Sequence, residues 1–424
     1  MKKIALLGFL CFSHGVFAQQ PADKYYLIKA GKIYDAENNR FVKEQQILIK
    51  NNTIEAVGSK VDAPAGVVVI DAGNATVTPG LIDAHTHLLT MSAPGENLAA
   101  DALMHDDAYR VLRAAGFAKS YLDAGFTTIR DVGNSGQYLD CRVSSAIARG
   151  YIAGPEMHVS GPIISGEGGQ FYQLPFHVKN QVAAQEYRVV NGVEDAVKAV
   201  KEHVNHGADL IKICANSERI NLTPDEIAAI VKTAHEYGLK VTAHATADPF
   251  INMAVKAGVD GIEHGYYITD STLELMAEKN VYLVATDPSA RLMVKSYKLM
   301  GNNNYTTEDA KKEIAVLPER INRALKKGVL VVAGSDQYID YKDTYGNLAK
   351  EAILSYYDAV GAATALRFAT WNAAIILNAK DRKGVIKKGA AADLVIFNGD
   401  MEQNFEKTLY DVKSVFIGGK MINP

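Results

Sequence analysis

Eight short apolar runs constrain what this chain can fold into more than any other feature: residues 81–85, 126–131, 156–160, 209–214, 240–244, 261–264, 281–285 and 330–334. Each has the length and composition of a buried strand, and helical stretches separate them. One of those helices is marked at both ends. Thr223 as N-cap, Pro224 at the first position and Glu226 form a capping box, Gly238 stops it, and Ile227, Ile230, Val231 and Ala234 share a face. Strands alternating with helices imply an α/β fold with a parallel sheet. Eight units suit a (β/α)8 TIM barrel, with a doubly wound open sheet as the alternative. The barrel is the stronger expectation, because chemically competent side chains end the first, fourth, fifth, sixth and eighth runs, and only a closed ring gathers those ends at one mouth.

The first run ends in His85-Thr86-His87. Residues two apart on a strand project from one face, so two imidazoles can grip one cation. Alone, such a pair is ordinarily structural. Here Lys212, His244, His264 and Asp336 stand near the ends of other runs. Lys212 lies between Ile211 and Ile213, whose side chains face outward to helices, so its ammonium points inward, where an unpaired charge is costly. Either it pairs with a carboxylate, or carbon dioxide converts it into an anionic carbamate able to bridge two metals. Four histidines and an aspartate nearby favour the bridge. Asp336 has two readings: N-cap of the following helix, or metal ligand and catalytic proton shuttle.

The chain has 424 residues, 48% hydrophobic and 22% charged, with a formal charge of −3. That is enough for a large core, and it gives no electrostatic case for nucleic acid or an anionic membrane as partner. Lys2 and Lys3, the apolar residues 4–12 and the small-residue end Val16-Phe17-Ala18 read as a signal peptide over residues 1–18. The apolar stretch is far short of the roughly 20 residues that span a bilayer. Leu10 before Cys11 is too bulky for a lipoprotein site. We therefore expect an exported bacterial protein, periplasmic or secreted, with no stable membrane anchor. Cys141 and Cys214 show no disulfide framework, and a single bridge between them stays open.

Residues 25–71 are strand-like, and the texture returns at 393–397 and 414–417. Three connections look long: 161–191, 286–313 and 335–348. They carry Phe171, Tyr172, Phe176, Tyr338, Tyr341 and Tyr345, with Tyr266 and Tyr267 close by, mostly as packing residues but also as an aromatic rim suited to a bulky substrate.

The motifs Pro79-Gly80-Leu81-Ile82-Asp83-Ala84-His85-Thr86-His87, Gly125-Phe126-Thr127-Thr128-Ile129-Arg130-Asp131, Gly207-Ala208-Asp209-Leu210-Ile211-Lys212, Val241-Thr242-Ala243-His244, Gly261-Ile262-Glu263-His264-Gly265, Gly334-Ser335-Asp336 and the tail Gly384-Val385-Ile386-Lys387-Lys388-Gly389-Ala390-Ala391-Ala392-Asp393-Leu394 together resemble the amidohydrolase superfamily. The resemblance is to its imidazolonepropionase and Xaa-Pro dipeptidase (prolidase)-like branch, and it spans essentially the whole mature chain. It implies two divalent metal ions, with Zn²⁺ the leading expectation although these donors also accept Mn²⁺ or Co²⁺. His85, His87 and Asp336 would hold the more buried ion, His244 and His264 the more exposed one, and carbamylated Lys212 would bridge them. It further implies a small β-sandwich built from residues 19–76 and 383–424 beside a barrel over residues 77–382.

The activity implied is hydrolysis of amide bonds in dipeptides or N-acyl amino acids, ochratoxin-type amides included. A hydroxide shared by the metals would attack the carbonyl, and Asp336 would carry the proton to the leaving nitrogen. Hydrolysis of a cyclic amide or lactone, as in imidazolonepropionase, is the alternative, and a non-catalytic binding protein on the same barrel is the reading from another class. A symmetric homo-oligomer is also admitted by the resemblance. The expected substrate contacts are Gln170, Tyr172, Arg219, Tyr267, Arg291 and Tyr338, with the two arginines as cations for a substrate carboxylate. Two departures stand out. Gly168-Gly169-Gln170 occupies the place where many members read Gly-Gly-His, so a neutral donor replaces one able to carry charge, and residues 214–219 lack the glycine pair common there.

Overall fold

The computed structural model describes residues 23–171, 173–217, 219 and 221–422. The expected signal peptide and Tyr172 lie outside the described residues. Among the described residues no helix is long and apolar enough to cross a membrane.

Strands from both ends of the chain share one sheet, ordered Lys420–Ile422, Val412–Ile417, Leu394–Phe397, Thr76–Pro79, Tyr25–Asp35, Arg40–Lys50 and Thr53–Gly58, with Val68–Asp71 paired to Tyr25–Asp35. Alternation along Tyr25–Asp35 places Tyr26, Ile28 and Ala30 in a separate apolar cluster with Ile47, Ile49, Leu394 and Phe416. Leu394 pairs with Pro79 at the point where the chain leaves this sheet for the first parallel strand.

The parallel strands lie where the apolar runs place them, to within a few residues. Leu81–Thr86, Phe126–Asp131 and Glu156–Val159 form one sheet. Tyr187–Val189, Ile163–Ser165, Leu210–Cys214, Lys240–Ala247, Gly261–Tyr267, Tyr282–Ala285 and Val331–Ala333 follow one another in a second. Backbone bonds join the two sheets at both sides: Asp209 N donates to Val159 O at 2.8 Å, and Asp336 N donates to His85 O at 2.8 Å. The strands are buried on both faces because helices cover the outside, as a parallel sheet requires. Helix Pro224–Glu236 has the expected capping box and buries Ile227, Ile230, Val231 and Ala234.

Two of the connections read as long loops are built of regular structure. The first contains Ile163–Ser165, helix Phe176–Glu186 and Tyr187–Val189, and the second contains helices Ala290–Leu299 and Thr307–Glu313. Cys141 and Cys214 are both buried and free.

Candidate metal centre

His85, His87, Lys212, His244, His264 and Asp336 all line one cavity of about 100 Å³ towards the C-terminal ends of the parallel strands. The ligand atoms of His85, His87 and Asp336 all lie within 4.8 Å of one another. His244 and His264 stack edge-on with ring centres 4.6 Å apart.

Hydrogen bonds behind the rings fix which nitrogen faces inward. His85 Nδ1 lies 2.6 Å from Glu263 Oε2, and His87 Nδ1 lies 2.7 Å from Gly133 O. Each of these partners can accept from Nδ1, so both rings are anchored from behind and turn their Nε2 atoms inward, as metal-binding imidazoles do. Those two Nε2 atoms stand 3.2 Å apart, with Asp336 Oδ1 3.1 Å from His87 Nε2 and 3.5 Å from His85 Nε2. Two ring nitrogens and a carboxylate converge there. Loss of water pushes His85 and His264 well below the usual histidine range and His244 down to about 3, so these imidazoles stay neutral and able to coordinate. Burial also pulls at His87, but the Asp336 carboxylate beside it raises it overall.

Lys212 is 1% exposed and, among the described residues, forms no ion pair. Burial pushes its ammonium down to about 8 despite the carboxylates of Glu263 and Asp336. Asp336 follows strand Val331–Ala333 and is not a helix cap, since the next helix, Tyr345–Phe368, is capped by Thr344. Gly334 allows this approach: a Cβ there would sit 2.6 Å from His85 Cβ. Asp336 and His264 both hold left-handed backbone, φ 51° and 71°, which concentrates strain at the centre.

Several contributing residues carry no assigned role in the sequence reading. Glu263 is fully buried and is held by Arg130 and Thr242 as well as by His85. Arg130 in turn reaches Ala84 O at 2.6 Å and Tyr282 Oη at 3.2 Å. Arg320 donates to His264 O and pairs with Asp287. Thr286 Oγ1 lies 2.8 Å from His264 Nδ1.

A second cavity of about 570 Å³ adjoins the first, and Leu98, Gln170 and Tyr338 line both. Of the expected substrate contacts, Gln170 and Tyr338 are thus at the centre. Tyr267 is 72% exposed and lines neither cavity. Arg219 is exposed, and Arg291 pairs with Glu351 at 2.5 Å and Glu406 at 3.0 Å beside a different cavity. Of the expected aromatic rim, Phe171 faces the outer cavity, whereas Tyr341 and Tyr345 belong to the main core and Phe176 is exposed.

A parallel α/β fold with a histidine, aspartate and lysine cluster at its strand ends, three of whose side chains could hold a metal ion, points to a class of hydrolases. The amidohydrolase family profile matches residues 76–422, and the chain belongs to that family, whose members hydrolyse carbon–nitrogen bonds. Ochratoxinase of Aspergillus niger is 26% identical over 349 residues, covering 76% of this chain and 71% of its own. A solved prolidase bound to N-methylphosphonate-L-proline superposes with TM-score 0.81 at 26% identity, over 94% of this chain and all of the other. A Xaa-Pro dipeptidase structure with bound methionine gives TM-score 0.80 at 27% identity, over 95% of this chain and 100% of that one.

Proposed function

We propose that this chain is an exported, binuclear metal-dependent amidohydrolase that cleaves the amide bond of dipeptides or N-acyl amino acids, ochratoxin-type amides among them. One observation carries the reading: His85 and His87 aim their Nε2 atoms at one point beside Asp336, each with its Nδ1 tied to an acceptor. The donor set therefore fits a divalent ion of the Zn²⁺ type. His85, His87 and Asp336 would hold one ion and His244 and His264 a second. Carbamylated Lys212 would bridge them, since a buried lysine without an ion pair gains a role as an anion.

Bound ions of this kind supply Lewis acidity and bring the pKa of water towards neutrality. The protein's own part begins with Asp336, whose free carboxylate oxygen accepts the proton shed by the attacking water. Asp336 then returns that proton to the nitrogen as the C–N bond breaks, leaving a carboxylic acid and an amine, which at neutral pH exchange a proton to become carboxylate and ammonium. Gln170 Nε2 and the Tyr338 phenol border the inner cavity, where a substrate carbonyl would sit, and the outer cavity offers room for the acyl or amino-acid portion.

In this reading the two parallel sheets, joined through Asp209 N to Val159 O and Asp336 N to His85 O, belong to a closed barrel over residues 77–382. In the same reading the described segments 23–76 and 383–422 belong to the flanking β-sandwich unit, and the first 18 residues direct export. Purified protein loaded with Zn²⁺ should hydrolyse members of a panel of Xaa-Pro dipeptides, N-acyl amino acids and cyclic amides followed by liquid chromatography. Anomalous diffraction should find two metal peaks beside His85 and His264. An empty cavity after zinc soaking, together with no turnover on the panel, overturns the reading.

A further inference from the structure

Gln170 stands where the sequence pattern offers a neutral donor in place of a histidine, and a glutamine amide works there only in one orientation. A half-turn about its last bond exchanges a donor for an acceptor, and the acceptor repels a carbonyl oxygen. The structure contains a device that sets this choice. Tyr187 is 2% exposed, and its hydroxyl donates to Gln170 Oε1 at 2.8 Å. Asn134 Nδ2 donates to the same hydroxyl at 3.5 Å, which leaves the phenolic proton for Gln170. Arg110 holds the Asn134 backbone carbonyl at 3.0 Å from behind.

Gly169 makes the arrangement possible. Its φ is 56°, and a Cβ there would lie 2.9 Å from the Tyr187 ring, so any side chain would push the ring away from Gln170. With Oε1 engaged, Gln170 Nε2 faces the inner cavity 3.2 Å from His244 Nε2. Once His244 gives its lone pair to a cation, those N–H groups have the adjoining space in which to meet a substrate oxygen.

We propose that Tyr187 is a positioning residue: its hydroxyl fixes the Gln170 amide with Nε2 towards the inner cavity, where it donates to the amide carbonyl of the substrate. The kinetic consequence rests on the amide-hydrolase reading above, but the orientation itself does not.

Two measurements separate the two. In protein labelled with ¹⁵N-glutamine, the Gln170 side-chain amide pair is identified as the pair lost in Gln170→Ala. It should move and sharpen in Tyr187→Phe. Asn134→Asp should do the same, because an aspartate only accepts and draws the phenolic proton to itself; this variant serves if Tyr187→Phe does not fold. An amide pair unchanged in both variants overturns the proposal. With zinc-loaded enzyme and the dipeptide or N-acyl amino acid turned over best, Tyr187→Phe should lower kcat/KM roughly five- to tenfold, the worth of one neutral hydrogen bond. In a Gln170→Ala background the same change should have no effect. Losses that multiply mean that Tyr187 acts independently of Gln170, and the proposal fails. If the wild type hydrolyses nothing on the panel, the functional reading fails while the amide resonances still decide the role of Tyr187.

Discussion

His85 Nδ1 and Glu263 Oε2 lie 2.6 Å apart in the fully buried interior, and this pair sets which edge of the His85 imidazole faces the cavity. Glu263 is itself held by Arg130 and Thr242, so the ring is braced through three contacts. Glu263→Gln keeps the shape but removes the charge that makes Nδ1–H the favoured tautomer. We expect zinc affinity to fall about 10- to 100-fold, as for other partners behind a metal ligand. Competition against a chromophoric chelator measures this, with a melting curve run alongside because Arg130 loses its counter-charge. Wild-type affinity in a folded variant would mean that the Glu263 contact does not govern His85.

Asp336 reaches His87 Nε2 at 3.1 Å through one oxygen and His264 Nδ1 at 3.8 Å through the other. Asp336→Asn retains an oxygen for coordination but cannot take up a proton. Metal content should therefore survive, while kcat falls by about 10² to 10⁴, the range for loss of a general acid–base. Turnover equal to wild type would remove Asp336 from proton transfer.

The strands are legible because parallel strands covered by helices are rich in apolar residues, and the histidines and Asp336 are legible because they stand at or near the ends of those runs. Other features depend on tertiary contacts that no local pattern carries. Strict alternation sets Glu263 on the face opposite His264, yet both face the interior, because His264 at φ 71° breaks the alternation. Arg291 has the sequence of a free cation on a loop, but its partner Glu351 is 60 residues away. Helix Phe176–Glu186 starts at Pro175 with no side-chain cap and has no continuous apolar stripe, so it resembles a loop. Tyr187 carries no motif at all, and only its contact with Gln170 gives it meaning.

Lys350 shows the same limit from the side of stability. It is fully buried in helix Tyr345–Phe368, its Nζ has no hydrogen-bond partner among the described residues, and the rings of Tyr410 and Phe397 lie 5.3 and 5.8 Å away. Burial pushes its pKa from 10.5 down to about 7. As pH falls through that window the unfolded chain gains a proton that the folded chain refuses, so Lys350 lowers stability progressively and its effect levels off below the folded value. Lys350→Met should raise stability at pH 7 by a few kcal/mol, at most about 4, with little gain near pH 11. Urea denaturation at the two pH values tests this, and an equal gain at both would assign the effect to packing alone.

Arg320 and Asp287 form a fully buried pair, and Arg320 also donates to the backbone oxygen of His264, the residue held at φ 71°. These two contacts predict two separable effects. Arg320→Met leaves the Asp287 charge buried without a partner and should cost about 3–5 kcal/mol in denaturation. Adding Asp287→Leu removes that charge and should recover most of the loss, since a buried pair replaced by apolar groups is often close to neutral. The donor to His264 O is absent in both variants, so zinc held through His264 should bind more weakly in the double variant even after stability returns. Calorimetric zinc titration beside urea denaturation separates the two. If affinity recovers together with stability, Arg320 acts only by neutralising Asp287, and the backbone of His264 needs no support from it.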